Sequence, residues 1–422
     1  MKPNKIFIQI ASYRDNQLLH TIKNCIENAN NANDLIFCIA WQHSVEDTWD
    51  NLDEYKNDPR FKIIDIDCNE SKGVCWARNK IQQCYDDEEY TLQLDSHHRF
   101  VKNWDMELIA MFKQLQEKGY KKPLLTTYLP SFNPENDPAE RIMKPWKLNF
   151  DRFIPEGVIF FLPATIDNFE KLTEPIPSRF YSAHFCFGPG VFCKEVMHDP
   201  NYYFHGEEIS ISVRSYTNNY DLFSPNKVVA WHEYTRKYRK KHWDDHTDWN
   251  KLNADSHIRL RKLLGVDGII NDIDFGQYGL GAQRSLEDYE KYSGIHFKTR
   301  GVQQYTLDNK LAPNPLIEND EEYQKSFVHV FKHCINVHES ELPYNDYKFI
   351  AVIFEDKKGG TLHRKDITAE EAIKLKTKDK NEIFYKIWRT FNYTGEKPYK
   401  YVIWPFSEKH QWCKRIDNVI YK

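Results

Sequence analysis

The sequence predicts an α/β fold with a mostly parallel central sheet, extended by a small, mostly β C-terminal module. Three observations lead there. Strand-like and helix-like segments alternate four times between residues 5 and 95, the pattern of a parallel sheet wound with helices. The strands are short, nearly continuous apolar runs, as strands buried on both faces are. Near residue 314 the composition turns acidic, and beyond it strand-like segments surround a Lys357-Lys-Gly-Gly360 turn.

In chain order, the first strand covers residues 5–11 and ends in Ser12-Tyr-Arg14-Asp15. Leu18, Leu19, Ile22, Cys25 and Ile26 then recur at helical spacing. A second strand, 35–41, ends at Gln42-His43. A third, 61–67, leads into Lys72-Gly-Val-Cys-Trp-Ala-Arg78-Asn and a helix running to Tyr85. The fourth alternates from Tyr90 to Gln93 and runs out into Asp95-Ser-His97-His-Arg-Phe100.

Further on, 122–128 is strand-like and the proline-rich 130–155 reads as a long surface loop. Residues 157–162 and 185–193 are further strands. Gly188 and Gly190 permit close backbone approach to a ligand, or equally a simple bulge. Tyr202-Tyr-Phe-His-Gly206-Glu207-Glu208 opens a helix, and 228–236 forms a last short strand carrying His232. The basic, aromatic stretch 235–262 suits either a lid over phosphates or a solvated helix face. Three parts are expected: a main domain over 1–265, a loop-rich extension packed on it over 266–318, and an accessory β module over 319–422. In that module His333, Cys334 and His338 are read as packing residues.

Composition narrows the partners. With 422 residues, 41% of them apolar, the chain builds a large core. A net charge of −4 supplies no basic field for nucleic acid. The N-terminal residues lack the hydrophobic stretch and cleavage site of a secretory leader, and no apolar run reaches the length of a membrane span. The nine cysteines are odd in number and lack C-x-x-C pairs; most, like Cys38 and Cys186, fall in apolar segments that favour reduced thiols. A soluble, cytoplasmic protein is expected.

The chemistry centres on Asp95. In an open α/β sheet, ligands bind beyond the carboxyl ends of the strands, where this motif falls. Residues two apart in extended chain share a face, so Asp95 and His97 aim one carboxylate and one imidazole at the same crevice. That D-x-H pair offers two ligands for a divalent metal. Both glycine-loop phosphate fingerprints are absent. A nucleotide bound here needs another hold on its diphosphate, and a metal is the natural candidate.

Five segments together resemble the GT-A glycosyltransferases. They are Ile10-Ala-Ser-Tyr-Arg-Asp15; Trp76-Ala-Arg78; Leu92-Gln-Leu-Asp-Ser-His-His-Arg-Phe100 with Trp104-Asp105; Gly206-Glu207-Glu208; and Trp231-His232-Glu-Tyr. Within that group the order is similar to the cytoplasmic hydroxyproline N-acetylglucosaminyltransferases, and more distantly to the polypeptide GalNAc-transferases. The match spans roughly residues 5–300 and leaves the C-terminal module without a counterpart. The resemblance implies a nucleotide-sugar-binding domain that moves GlcNAc from UDP-GlcNAc to a protein hydroxyproline, serine or threonine, or to a glycan, with retention of configuration.

It further implies Mn²⁺ (or Mg²⁺) held by Asp95, His97 and His232. Ser12, Arg14, Asp15, Gln42, Arg78, Gly188 and Arg236 are expected around the donor, and Glu207 is expected to position the sugar or acceptor. Two other classes stay open at this stage. One is a metal-dependent nucleotide-sugar hydrolase or nucleotidyltransferase; the other is a non-catalytic glycan-binding protein.

Overall fold

A computed structural model of the chain describes every residue except 50, 236, 238, 380, 381, 421 and 422. It divides into two compact units, Met1–Arg300 with Tyr305–Ile317, and Gly301–Gln304 with Glu318–Lys422.

The first unit is built on strands β1 (Lys2–Tyr13), β2 (Leu35–His43), β3 (Phe61–Asp67) and β4 (Glu88–Asp95), which lie parallel in the order β3-β2-β1-β4. Helices α1 (Leu18–Asn28), α2 (Val74–Gln82) and α3 (Trp104–Glu117) cover them. β1 shows why its sequence reads as a continuous apolar run. Ile6, Ile8 and Ile10 enter one core with Leu18 and Ile22 of α1 and Trp104, Leu108 and Phe112 of α3. Phe7, on the opposite face, joins Ala77 and Ile81 of α2. Each such buried Ile, Leu or Phe side chain contributes roughly 1.5–3 kcal/mol. A one-residue slip would exchange the faces and push Gln9, whose amide donates to the Thr91 hydroxyl at 2.8 Å, into the isoleucine core.

Register aligns the strand ends. Ala11 pairs with Asp95, Ser12 with Trp41, and Tyr13 with Gln42, so the polar residues after each strand meet at one edge. After the short β5 (His98–Phe100), the same sheet continues through β6 (Pro123–Thr126).

Two segments differ from expectation. The proline-rich stretch 130–155 is not all loop: it contains β7 (Trp146–Phe153), which forms an antiparallel hairpin with β8 (Ile159–Thr165). Leu148 and Phe150 are buried at alternate positions of β7, a period-2 signal masked by the prolines before it. Past the two-residue β9 (Ile176–Pro177), the strand expected over 185–193 stops early as β10 (Phe185–Pro189). The chain then turns into a short helix α4 (Phe192–Glu195). Pro189 has no N–H to extend the ladder, and a Cβ at Gly190 would stand 2.0 Å from the Glu88 carbonyl oxygen.

β10 runs antiparallel between β4 and β6, so the sheet is mixed while its first four strands stay parallel. Helix α5 (Glu207–Thr217), β11 (Asp221–Ser224) and β12 (Ala230–His232) follow, then helices α6 (His242–Asp245) and α7 (Trp249–Leu264). β11 lies beside β6 and carries β9 at the sheet edge, whereas β12 pairs with β5 in a separate two-stranded ladder.

The second unit is a β structure of its own. Phe327–His338 pairs antiparallel with Glu382–Tyr393, and Tyr347–Glu355 with both Lys400–Ser407 and Thr361–Arg364. Phe331, Ile335, Ile350, Val352, Phe354, Ile387 and Ile403 form its core. All nine cysteines are unpaired. Among the described residues, no helix is long and apolar enough to cross a membrane.

Candidate active site

β4 delivers Asp95 to the carboxyl edge of the sheet, and the backbone bends at Ser96 so that His97 turns back toward it. Asp95 Oδ2 lies 3.7 Å from His97 Nε2 and 3.4 Å from His232 Nε2. His232 comes from far along the chain: the β5–β12 ladder sets it opposite His98 and thereby beside the D-x-H pair. One donor atom from each of the three lies within 4.8 Å of the others.

The protonation chemistry suits a cation. Asp15 Oδ2 stands 2.7 Å from His97 Nδ1, which fixes that nitrogen as the N–H and leaves Nε2 bare toward Asp95. His97 Nε2 is buried with no hydrogen-bond partner. Burial pushes the His232 imidazole down to about 4 despite Asp95, so it is neutral, as a ligand must be. Partial burial would raise the Asp95 carboxyl, but His232, Arg78 and His97 together hold it well below the usual carboxylate range. An ionised carboxylate, a neutral imidazole and a buried imidazole nitrogen without a partner fit a divalent metal.

Behind the triad sits a buried ion-pair chain. Arg78 of α2 donates to Asp95 Oδ1 at 2.6 Å and to Glu207 Oε1 at 2.5 Å. Arg78 and Glu207 side chains are only 3% and 4% exposed. Glu207 therefore spends its charge on Arg78, with His198 Nδ1 a further 2.8 Å contact. Cys75, His198 and Glu207 have donor atoms close enough to hold a metal. Their chemistry opposes one, because a guanidinium already neutralises Glu207 and burial keeps the Cys75 thiol protonated.

Two cavities border Asp95 and His97. The narrower, 150 Å³, lies beyond β1 and β2 and is lined by Tyr13, Gln42, Val74, Tyr203 and Trp243. The wider, 560 Å³, is lined by Tyr128, Trp146, Phe160, His184, Glu208 and Tyr234.

The sequence-predicted donor residues fall unevenly around the narrow cavity. Gln42 and Asp15 line it. The Gln42 amide donates to the Ser12 carbonyl at 2.9 Å, and its Oε1 accepts from the Ser71 hydroxyl at 2.5 Å, so Ser12 and Gln42 brace each other. Arg14 is held by Asp47 at 2.7 and 2.9 Å and by Asp245 at 3.1 Å. Gly188 lies inside β10 opposite Thr91, where a Cβ would meet Leu124 Cδ2 at 2.3 Å. There its smallness makes room for Leu124. Arg236 lies outside the described residues.

The lid alternative for the basic stretch has a structural counterpart in residues 239–246. The Tyr13 hydroxyl donates to Asp245 at 2.8 Å, and the Tyr203 hydroxyl lies 2.9 Å from His242 Nδ1. Arg239 donates to Asp15 at 3.0 Å. These contacts draw the segment over the narrow cavity.

A family profile decides the classification: that of the glycosyltransferase (GlcNAc) family matches residues 5–61 and 51–299. The chain belongs to this glycosyltransferase family. No curated protein sequence matches it. Among solved structures, GalNAc-T7 with UDP, GalNAc and Mn²⁺ is 16% identical with a TM-score of 0.45, covering 61% of this chain and 48% of that one. Staphylococcus aureus TarS 1–349 in complex with UDP-GlcNAc is 12% identical with a TM-score of 0.36, covering 59% and 64%. The chain thus spans about half of GalNAc-T7.

Sequence reasoning missed the far wall of the wide cavity. Trp146 and Phe160 belong to the β7–β8 hairpin, half of which reads as loop. Tyr128 and His184 flank β6 and β10 as single polar-tipped rings, which carry no spacing signal. A polar or aromatic residue at a strand end is the one clue that points to them.

Proposed function

We propose that this glycosyltransferase moves GlcNAc from UDP-GlcNAc to a hydroxyl of a protein or glycan, with retention of configuration, using Mn²⁺ held by Asp95, His97 and His232. The observation that carries this reading is the Asp95–His97–His232 cluster at the border of two cavities, of 150 and 560 Å³. When bound, the metal supplies Lewis-acid neutralisation of the departing diphosphate. The chain's own residues do the rest. Asp15 keeps the His97 tautomer, Arg78 orients Asp95, and Arg239 places a cation beside the narrow cavity.

The test is to incubate the protein with a panel of UDP-sugars, with Mn²⁺, Mg²⁺ or chelator, and to follow UDP release. Metal-dependent release that is fastest with UDP-GlcNAc is expected. Release that persists undiminished in excess chelator would end the reading.

Asp15→Asn probes the bracing of His97. It is expected to weaken Mn²⁺ binding by roughly 10- to 100-fold, the range for partners of metal-ligating histidines. Calorimetric titration with Mn²⁺ measures this, and an unchanged affinity would deny Asp15 that role.

A further inference from the structure

Glu207 and Glu208 are neighbours in the first turn of α5, yet the fold gives them different partners. Glu207 is buried against Arg78. Glu208, like Glu207, lines the wide cavity that also reaches Asp95 and His232. Its Oε2 accepts from the Tyr128 hydroxyl at 2.7 Å and its Oε1 from the Ala183 N–H at 2.9 Å. Among the described residues no cation stands within ion-pair distance of it. A carboxylate oxygen takes more than one hydrogen bond, so both oxygens keep accepting capacity.

Glu208 is tied to the metal cluster through stacked rings. Tyr128 stacks on His184 at 5.0 Å between centroids, and His184 on His232 at 4.1 Å. His184 Nε2 accepts from the Leu129 N–H at 3.0 Å, so its ring hydrogen sits on Nδ1. Burial keeps this imidazole neutral. Trp146, Phe160 and Leu162 supply apolar wall, and the charged Arg78, Asp95 and Arg239 also reach the cavity.

We propose that Glu208, held by Tyr128 and flanked by His184, contacts the acceptor of this glycosyltransferase, and that the acceptor presents an uncharged hydroxyl on an apolar or ring-faced body. The proposal rests on the glycosyltransferase reading above. The apolar walls would pack against the body of the acceptor, where burying apolar surface is favourable. The polar groups on one side would then orient the hydroxyl-bearing part. Burial pushes the Glu208 carboxyl up to about 7 against the hydrogen bonds from Ala183 and Tyr128.

The experiment separates the acceptor from the donor. Wild type, Glu208→Gln, Glu208→Asp and Tyr128→Phe are assayed with UDP-GlcNAc and Mn²⁺ against serine, threonine and hydroxyproline peptides and p-nitrophenyl glycosides. UDP affinity in Mn²⁺ is measured separately by calorimetry. For the acceptor that wild type uses best, kcat/KM is expected to fall on the order of 10- to 100-fold in Glu208→Gln, as for a lost charged hydrogen bond. UDP affinity and the KM for UDP-GlcNAc should both stay within twofold; a raised UDP-GlcNAc KM would place Glu208 on the donor sugar and overturn the proposal. Tyr128→Phe, which keeps the ring on His184, should move the acceptor KM in the same direction by less, and Glu208→Asp should recover part of the loss.

Normal acceptor kinetics in Glu208→Gln would overturn the proposal. So would UDP affinity falling in parallel with transfer in both Glu208→Gln and Tyr128→Phe, the mark of a structural role. If wild type lacks metal-dependent UDP-sugar turnover altogether, the glycosyltransferase reading itself falls, and this proposal with it.

Discussion

Asp95→Asn is expected to cut metal-dependent turnover of UDP-GlcNAc by roughly two orders of magnitude or more, while the chain stays folded. Asparagine keeps the shape of the side chain and a carbonyl oxygen for Arg78, which retains Glu207 as its charged partner at 2.5 Å. What disappears is the one ionised group among the three candidate ligands, and with it most of the attraction for a divalent cation. The measurement pairs turnover across a Mn²⁺ titration with thermal melting in chelator and in metal. Wild type should melt higher with Mn²⁺ by mass action, and Asp95→Asn should not. A variant that turns over normally, or that still gains the full metal-induced shift, would remove Asp95 from the site.

The second large effect is on stability. Arg78→Met is expected to cost about 3–5 kcal/mol, because it strips the cation from a buried carboxylate. Glu207 is 4% exposed, and its neighbours His198 and Cys75 cannot replace a guanidinium. The double variant Arg78→Met/Glu207→Met should recover most of that loss, since a buried ion pair exchanged for apolar groups of similar volume is often close to neutral. Turnover should not recover, because Asp95 would still lack the hydrogen bond at 2.6 Å that orients it. Urea unfolding of wild type and the single and double variants provides the numbers. A loss below about 1 kcal/mol in Arg78→Met would mean that the pair is not electrostatically closed, contrary to its burial.

Much of the site's near half was legible in the sequence. The parallel strands announce themselves because burial on both faces demands continuous apolar runs, and those runs end where the polar residues begin. The D-x-H pair is legible for a related reason: its two side chains are neighbours in sequence, so local backbone geometry alone sets their relation. The far half was not. β7 hid behind prolines, and Gly188 carried no mark to distinguish a ligand contact from the close approach of Leu124.

By itself, then, the sequence determined the strand-helix order, the edge at which the crevice opens, and the presence of one carboxylate and one imidazole there. These follow from local periodicity and steric rules, which act over a few residues. The tertiary structure decided the partners. His232 lies 137 residues from Asp95 in the chain, and only the β5–β12 ladder brings it to 3.4 Å. It also set the partners of Glu207 and Glu208. Consecutive residues on a helix point about 100° apart, so the two meet different partners, Arg78 for Glu207 and Tyr128 for Glu208, though both reach the wide cavity. Which faced which depended on how α5 docked against α2 and the sheet, a matter of long-range packing that no local pattern records.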